Sequence, residues 1–330
     1  MRDRRPSEAN RPADEQRRHA ADSPQTESRG ALLDAIRGVK WPALRAVAGA
    51  LPGAHHSRLR GSAPELSEYR VYRQGDDPKR IDWRLLARSD RAYIRLAEDR
   101  SIVSTLIVVD ATASMAFPPR TLAKWRTACD LAIGLAAVGH ASRDPVGLVI
   151  ATGDGIRQLP ARTRRGIVGE ISRALDSTTP AGTAPVAPAL AGVRPRWRVA
   201  IISDFLGDAD DVRRRAGEVA AAGGEVHAVH VVADEELNPP ERSMLAVDPE
   251  DASIARPLVA DVRAAYLERF AAWRAELATA WRGEGLSYTL ARVSEPTSRV
   301  VRRIANRALG GSGDAALHAR TERAGRVEPR

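Results

Sequence analysis

Three residue types are scarce in this chain of 330 residues: there is one cysteine, Cys129, three lysines, Lys40, Lys79 and Lys124, and only 4% aromatics. A lone cysteine excludes an intramolecular disulfide framework and any four-cysteine zinc site. Cys129 falls in an apolar helical run, where a thiol packs as a small hydrophobe. Also lacking is any apolar stretch near the roughly 20 residues needed to span a bilayer; Leu131 to Ala141 comes nearest, so a soluble protein is expected. Arg4 and Arg5 are not followed by an apolar segment, which argues against a Sec or twin-arginine leader. With so few lysines, nearly all the positive charge is arginine: 51 basic residues against 42 acidic ones give a net charge of +9. The arginines are scattered among acids, which reads as compositional bias more readily than as a nucleic-acid surface. A basic nucleic-acid-binding protein using an Arg-rich amino-terminal arm remains an alternative.

What is present is ordinary globular material, with 43% hydrophobic and 28% charged residues. The length fits two domains or one large domain with appendages. Residues 1–29 are polar and charged and read as a disordered arm. In 30–60, Leu32, Leu33, Ile36, Val39, Leu44, Val47 and Leu51 recur at helical offsets around Pro42. That spacing predicts an amphipathic helical segment needing a groove to lie in. Residues 61–100 carry short alternating runs, Tyr69 and Val71 and then Tyr93, Ile94 and Leu96, and predict a small strand-rich subdomain.

From 101 to 309 the pattern alternates β and α, which predicts a mostly parallel sheet with helices on both faces. Strands are expected at 103–109, 146–151, 199–202, 226–232 and 288–293. Thr152-Gly153-Asp154-Gly155 predicts a hairpin to an antiparallel edge strand. Helices are expected at 122–140, 164–175, 185–192, 209–222, 258–282 and 297–309, with a disordered tail over 310–330. His227 and His230 share one strand at an odd offset, so they should face opposite ways and form no two-histidine metal site.

In open parallel sheets ligands sit beyond the carboxyl ends of the strands. Asp110, Thr112 and Ser114 follow the first strand of this series, Thr183 lies in a later loop, and Ser203-Asp204 end the strand at 199–202. The carboxylates of Asp110 and Asp204 and the hydroxyls of Thr112, Ser114 and Thr183 are hard oxygen donors suited to Mg²⁺, while zinc would want nitrogen or sulfur. The competing reading is that these side chains merely cap turns and helices. A phosphoryl-accepting role for Asp110 lacks the second carboxylate two residues on, where Thr112 stands. Neither a phosphate loop nor a dinucleotide fingerprint is present.

The motif D-x-[ST]-x-S with a downstream Thr and Asp resembles the metal-ion-dependent adhesion site of von Willebrand factor A domains. Upstream, Arg70, Tyr72, Gly75, Asp76, Asp77, Arg80, Asp82, Trp83 and Arg88 resemble the signature of the MoxR-associated family of unknown function numbered fifty-eight. The resemblance covers roughly 51–293. It implies a von Willebrand factor A-like (Rossmann-like) α/β fold and a metal site of Asp110, Thr112, Ser114, Thr183 and Asp204 holding Mg²⁺, with Mn²⁺ as an alternative. The partners it implies are a MoxR-type AAA+ ATPase and an acidic client whose carboxylate completes the ion's shell.

The expectation is therefore a non-enzymatic, Mg²⁺-dependent protein-interaction module in chaperone-like maturation or complex assembly. A cytoplasmic or membrane-peripheral location is expected with it. A scaffold with a vestigial metal site is the second alternative. The 75–83 block, with its turn chemistry, reads as structural, with Trp83 anchoring the subdomain to the larger domain, in preference to direct partner contact.

Overall fold

A computed structural model describes residues 27–43, 52–74, 78, 81–89, 91–241, 244–248 and 253–306. The described residues open with α1 (Arg29–Ala35), then β1 (Pro52–Val71), α2 (Trp83–Ser89) and β2 (Tyr93–Ser101). There follow β3 (Thr105–Ala111), α3 (Ala123–Ala141), β4 (Val146–Thr152), β5 (Gly155–Arg162) and α4 (Ile167–Asp176). The remainder is β6 (Arg198–Ser203), α5 (Ala209–Ala221), β7 (Glu225–Val232), α6 (Asp234–Leu237), β8 (Met244–Val247), β9 (Ala255–Leu258), α7 (Ala260–Gly283), β10 (Ser287–Arg292) and α8 (Thr297–Asn306).

Six strands form the main sheet in the order β10-β7-β6-β3-β4-β5. All neighbouring pairs are parallel except the β4–β5 hairpin. β3 lies inside the sheet and is buried along its whole length, which is why its sequence is a continuous β-branched run and not an alternating one. One face is covered by α1, α3, α4 and α8, whose Leu32, Leu131, Ile171 and Val301 join one apolar cluster. A second cluster on the other face combines Val212 of α5, Trp281 of α7 and Leu190 of a short 3-10 helix, Ala187–Leu190. The expected α/β architecture with its antiparallel edge is what the chain adopts. Cys129 packs in the first cluster. His227 meets Trp41 on one side of β7, and His230 meets Phe205, Trp273 and Tyr288 on the other, so the two do face opposite ways.

Several expectations need correction. Residues 27–29 are not part of a free arm: Glu27 accepts a hydrogen bond from the Ser298 amide, and Arg29 pairs with Asp130 at 3.1 Å and Asp176 at 2.6 Å. Residues 1–26 and 307–330 lie outside the described residues. Among the described residues, the helix predicted over 30–60 is α1, followed by a turn that buries Ile36 and a stretch that buries Trp41. Residues 52–60 are strand, because β2 offers a pairing edge that local periodicity cannot see. Leu44, Val47 and Leu51 lie outside the described residues. The helix expected at 185–192 shrinks to one 3-10 turn, and the β8–β9 hairpin was not foreseen.

In the signature block, Arg70 pairs with Ile94 along β1, and Tyr72 donates its amide to the Ala92 carbonyl. The Asp82 carboxylate accepts the amides of Arg84 and Leu85 and so starts α2. Trp83, however, is 62% exposed and does not wedge the subdomain against the larger domain; among the described residues nothing buries its indole at the start of α2. Arg88 is exposed too, and Gly75, Asp76, Asp77 and Arg80 lie outside the described residues.

Candidate functional site

Parallel pairing places the carboxyl ends of β3 and β6 side by side, with Val109 opposite Ile202, and so brings Asp110 next to Ser203. The Ser203 hydroxyl donates to Asp110 Oδ2 at 2.7 Å. Asp110 Oδ1 accepts the Thr112 amide at 2.9 Å and the Thr112 hydroxyl at 2.8 Å, and the Thr112 and Ser114 hydroxyls are 3.1 Å apart. Ser114 sits in a short 3-10 helix, Ala113–Ala116, that turns the chain away from the sheet.

The Thr183 loop is tied to this turn by two backbone bonds, Ala113 N to Gly182 O and Ala181 N to Ala111 O. A cleft of about 240 Å³ opens there, walled by Asp110, Thr112, Thr183, Ser203 and Asp208 on its polar side and by Pro185, Val186, Phe205 and Val212 on its apolar side. Ser114 and Asp204 are buried and are not part of that wall. The predicted residues are thus gathered at one end of the sheet, three of them facing the cleft and two behind it.

Asp204 is held from two directions. Its Oδ1 accepts the Leu206 amide at 3.2 Å, and its Oδ2 takes the Lys124 ammonium at 2.5 Å. Phe205 beside it has φ 55, a left-handed conformation unusual for a residue with a side chain, and its amide bonds back to Ser203 Oγ. Lys124, in the first turn of α3, has 0% exposure and also reaches Glu236 Oε1 of α6 at 2.9 Å. Burial works against its charge, but Asp204 and Glu236 more than offset that and hold its pKa above the ordinary lysine value.

Asp110 is in the opposite position. Among the described residues no basic side chain pairs with it, and its pKa is pushed up to about 6, first by burial and then by the charge of Asp204. Hydrogen bonds from Ser203 and Thr112 only partly counter this. A buried carboxylate short of positive charge, ringed by hydroxyls and open to a cleft, is a setting that a small hard cation would relieve.

The donor set fits such an ion. Mg²⁺–O bonds of 2.0–2.1 Å in an octahedron put adjacent oxygens about 2.8–3.0 Å apart, and the Asp110–Thr112–Ser114 oxygens stand 2.8 and 3.1 Å apart. Among the described residues no group of three or more His, Cys, Asp or Glu could hold a metal, so hydroxyls would carry much of the coordination. The capping alternative also finds support, since Asp110 and Asp204 each accept a backbone amide two residues on.

Sequence reasoning missed Lys124 and Glu236, and named Ser203 only as the end of a strand. The signal for Lys124 was its rarity: where three lysines stand among 51 basic residues, a lysine inside an apolar helix marks a place that needs a compact ammonium and not a guanidinium fork.

A family model described as "Protein of unknown function DUF58" matches residues 68–276. Uncharacterized proteins of Mycobacterium tuberculosis and Mycobacterium bovis are each 28% identical over 291 residues, covering 84% of this chain and 90% of theirs. Among solved structures, the conserved hypothetical protein BatB of Bacteroides thetaiotaomicron is similar at 18% identity and a TM-score of 0.39, covering 62% of this chain and 98% of that one. An aerotolerance-related membrane protein of Bacteroides fragilis gives 17%, 0.40, 62% and 99%, and the SpRpn10 VWA domain 12%, 0.35, 61% and 94%.

Proposed function

Because the chain belongs to the DUF58 family of proteins of unknown function, we propose from its own geometry that it is a non-enzymatic protein-interaction module built round a divalent ion, Mg²⁺ or Mn²⁺. The observation that carries this reading is Asp110: buried, without a cationic partner among the described residues, and hydrogen-bonded to the hydroxyls of Thr112 and Ser203 at the mouth of a cleft.

Asp110, Thr112, Ser114 and Thr183 would hold the ion, with Asp204 contributing from behind. When bound, the ion supplies a Lewis-acidic point that a partner's carboxylate can ligate. The chain's own residues do the rest. Ser203 orients Asp110 through its hydroxyl, the backbone bonds of the Thr183 loop keep the third wall in place, and Pro185, Val186 and Phe205 offer an apolar rim beside the polar floor. An acidic protein segment with an apolar neighbour suits that cleft.

The resemblance supplies the partner classes: a MoxR-type AAA+ ATPase and an acidic client, acting in maturation or assembly at a cytoplasmic or membrane-peripheral place. Among the described residues no helix is long and apolar enough to cross a membrane.

Isothermal titration of Mg²⁺ and Mn²⁺ into metal-free protein tests the site. Wild type should bind, and Asp110→Ala should abolish binding. A second reading, a scaffold with a vestigial site, is favoured by the ammonium already seated on Asp204. It predicts that neither ion binds and that ATPase pull-down survives EDTA.

A further inference from the structure

We infer that Lys124 is a resident cation that competes with the divalent ion for Asp204, so that ion affinity is set by how Lys124 divides its charge between Asp204 and Glu236. This inference rests on the metal-site reading above.

The Lys124 ammonium contacts both carboxylates, at 2.5 and 2.9 Å, in a place closed to water. One positive charge thus serves two negative ones. Asp204 follows Ser203, whose hydroxyl is already on Asp110, and each Asp204 oxygen has a donor of its own, the Leu206 amide or Lys124. A divalent ion arriving beside Asp110 therefore meets a carboxylate whose charge is partly spent, and an ammonium directly behind it. Because the Lys124 ammonium is fully buried, its repulsion of the ion is stronger than the same pair would feel in open solvent. Glu236 is the counterweight: its other oxygen is pinned by the Ala233 amide at 2.7 Å, so it draws Lys124 from a fixed position.

Opposite consequences follow for the two partners of the ammonium. Removing the charge in Lys124→Met leaves Asp204 free for the ion. Removing the counterweight in Glu236→Gln gives Lys124 wholly to Asp204. Damage to packing alone would move both variants the same way, whereas competition moves them apart.

The test is isothermal titration of Mg²⁺ and Mn²⁺ into the full chain for wild type, Lys124→Met, Glu236→Gln and Asp110→Ala, with circular dichroism to confirm folding. Lys124→Met should bind at least about tenfold more tightly, and Glu236→Gln at least about threefold more weakly; both are floors, since at an effective dielectric near 20 a unit charge within about 10 Å of a divalent ion shifts affinity by more than that. Equal or weaker binding by folded Lys124→Met, or equal or tighter binding by Glu236→Gln, overturns the inference. Should Lys124→Met not fold, Lys124→Gln, which also removes the charge, takes its place with the same expected direction. Silence from both wild type and Lys124→Met sinks the metal site and this inference with it. Wild-type binding that Asp110→Ala abolishes and Lys124→Met does not strengthen sinks only the competition.

Discussion

Lys124 and His230 are both buried near the carboxyl ends of the strands, yet one keeps its proton and the other sheds it. Two carboxylates touch Lys124. His230 touches aromatic rings and the Tyr288 hydroxyl at 2.6 Å, and burial pushes its pKa down to about 3, with Lys124 and Arg274 adding to the fall and Asp204 opposing it. The unfolded imidazole takes its proton near 6.5, so between there and about 3 the unfolded chain binds more protons and folding loses stability as pH drops. The loss is about 1.4 kcal/mol per pH unit, or about 2 kcal/mol from pH 6.5 to 5. Asp110 works the other way: its folded pKa is raised, so it destabilises the fold at neutral pH and that cost fades as pH falls from about 6 toward 4. Urea unfolding of wild type and His230→Gln at pH 7 and pH 5 separates the two. The wild type should lose more stability on acidification than the variant; equal losses would remove His230 from the account.

At the scale of elements, the site depends on two glycines that let the β4–β5 turn touch the Thr183 loop. A methyl group on Gly153 would meet the Ala181 carbonyl oxygen at 2.8 Å, and one on Gly182 would meet the Gly153 backbone at 3.1 Å. Gly182 also has φ +68, which costs a residue with a side chain about 1–2 kcal/mol. Gly182→Ala should therefore lower thermal stability and, by shifting Thr183, weaken Mg²⁺ binding, whereas Gly169→Ala, in open space on α4, should do neither. The Arg213-Arg214-Arg215 run needs no functional reading: its members pair with Asp210, Asp211 and Glu218 along α5. Elements with a strong local pattern, such as β3, α3 and β7, were legible because their burial is uniform along the strand or helix. The strand character of 52–60 and the β8–β9 hairpin were not, because pairing across a ladder is a property of two segments, and only one is in view when a window is read.

At the scale of the whole molecule, residues 27–43 act as a strap: Arg29 pairs with Asp130 of α3 and Asp176 of α4, α1 packs on α3 and α8, and the Trp41 indole lies 4.5 Å from the buried guanidinium of Arg198. That guanidinium also binds Glu225 and the Pro42 carbonyl. Trp41→Ala should cost about 3–5 kcal/mol, the usual range for emptying a buried Trp or Phe site, read as a shift in urea midpoint. A negligible shift would show the strap to be dispensable.

The order of the strands and main helices of the large sheet, the sheet class and the two strand ends that carry Asp110, Thr112, Ser114 and Asp204 were determined by the sequence alone, because hydrophobic period and chain-local spacing record them directly. What tertiary structure decided was the charge each of these residues meets. Lys124 and Asp204 are 80 residues apart, and Lys124 and Glu236 are 112 apart. Their meeting follows from the packing of α3 and α6 at the same end of the sheet. Coulomb energy depends on distance and burial, and neither is written in the spacing of residues along a chain.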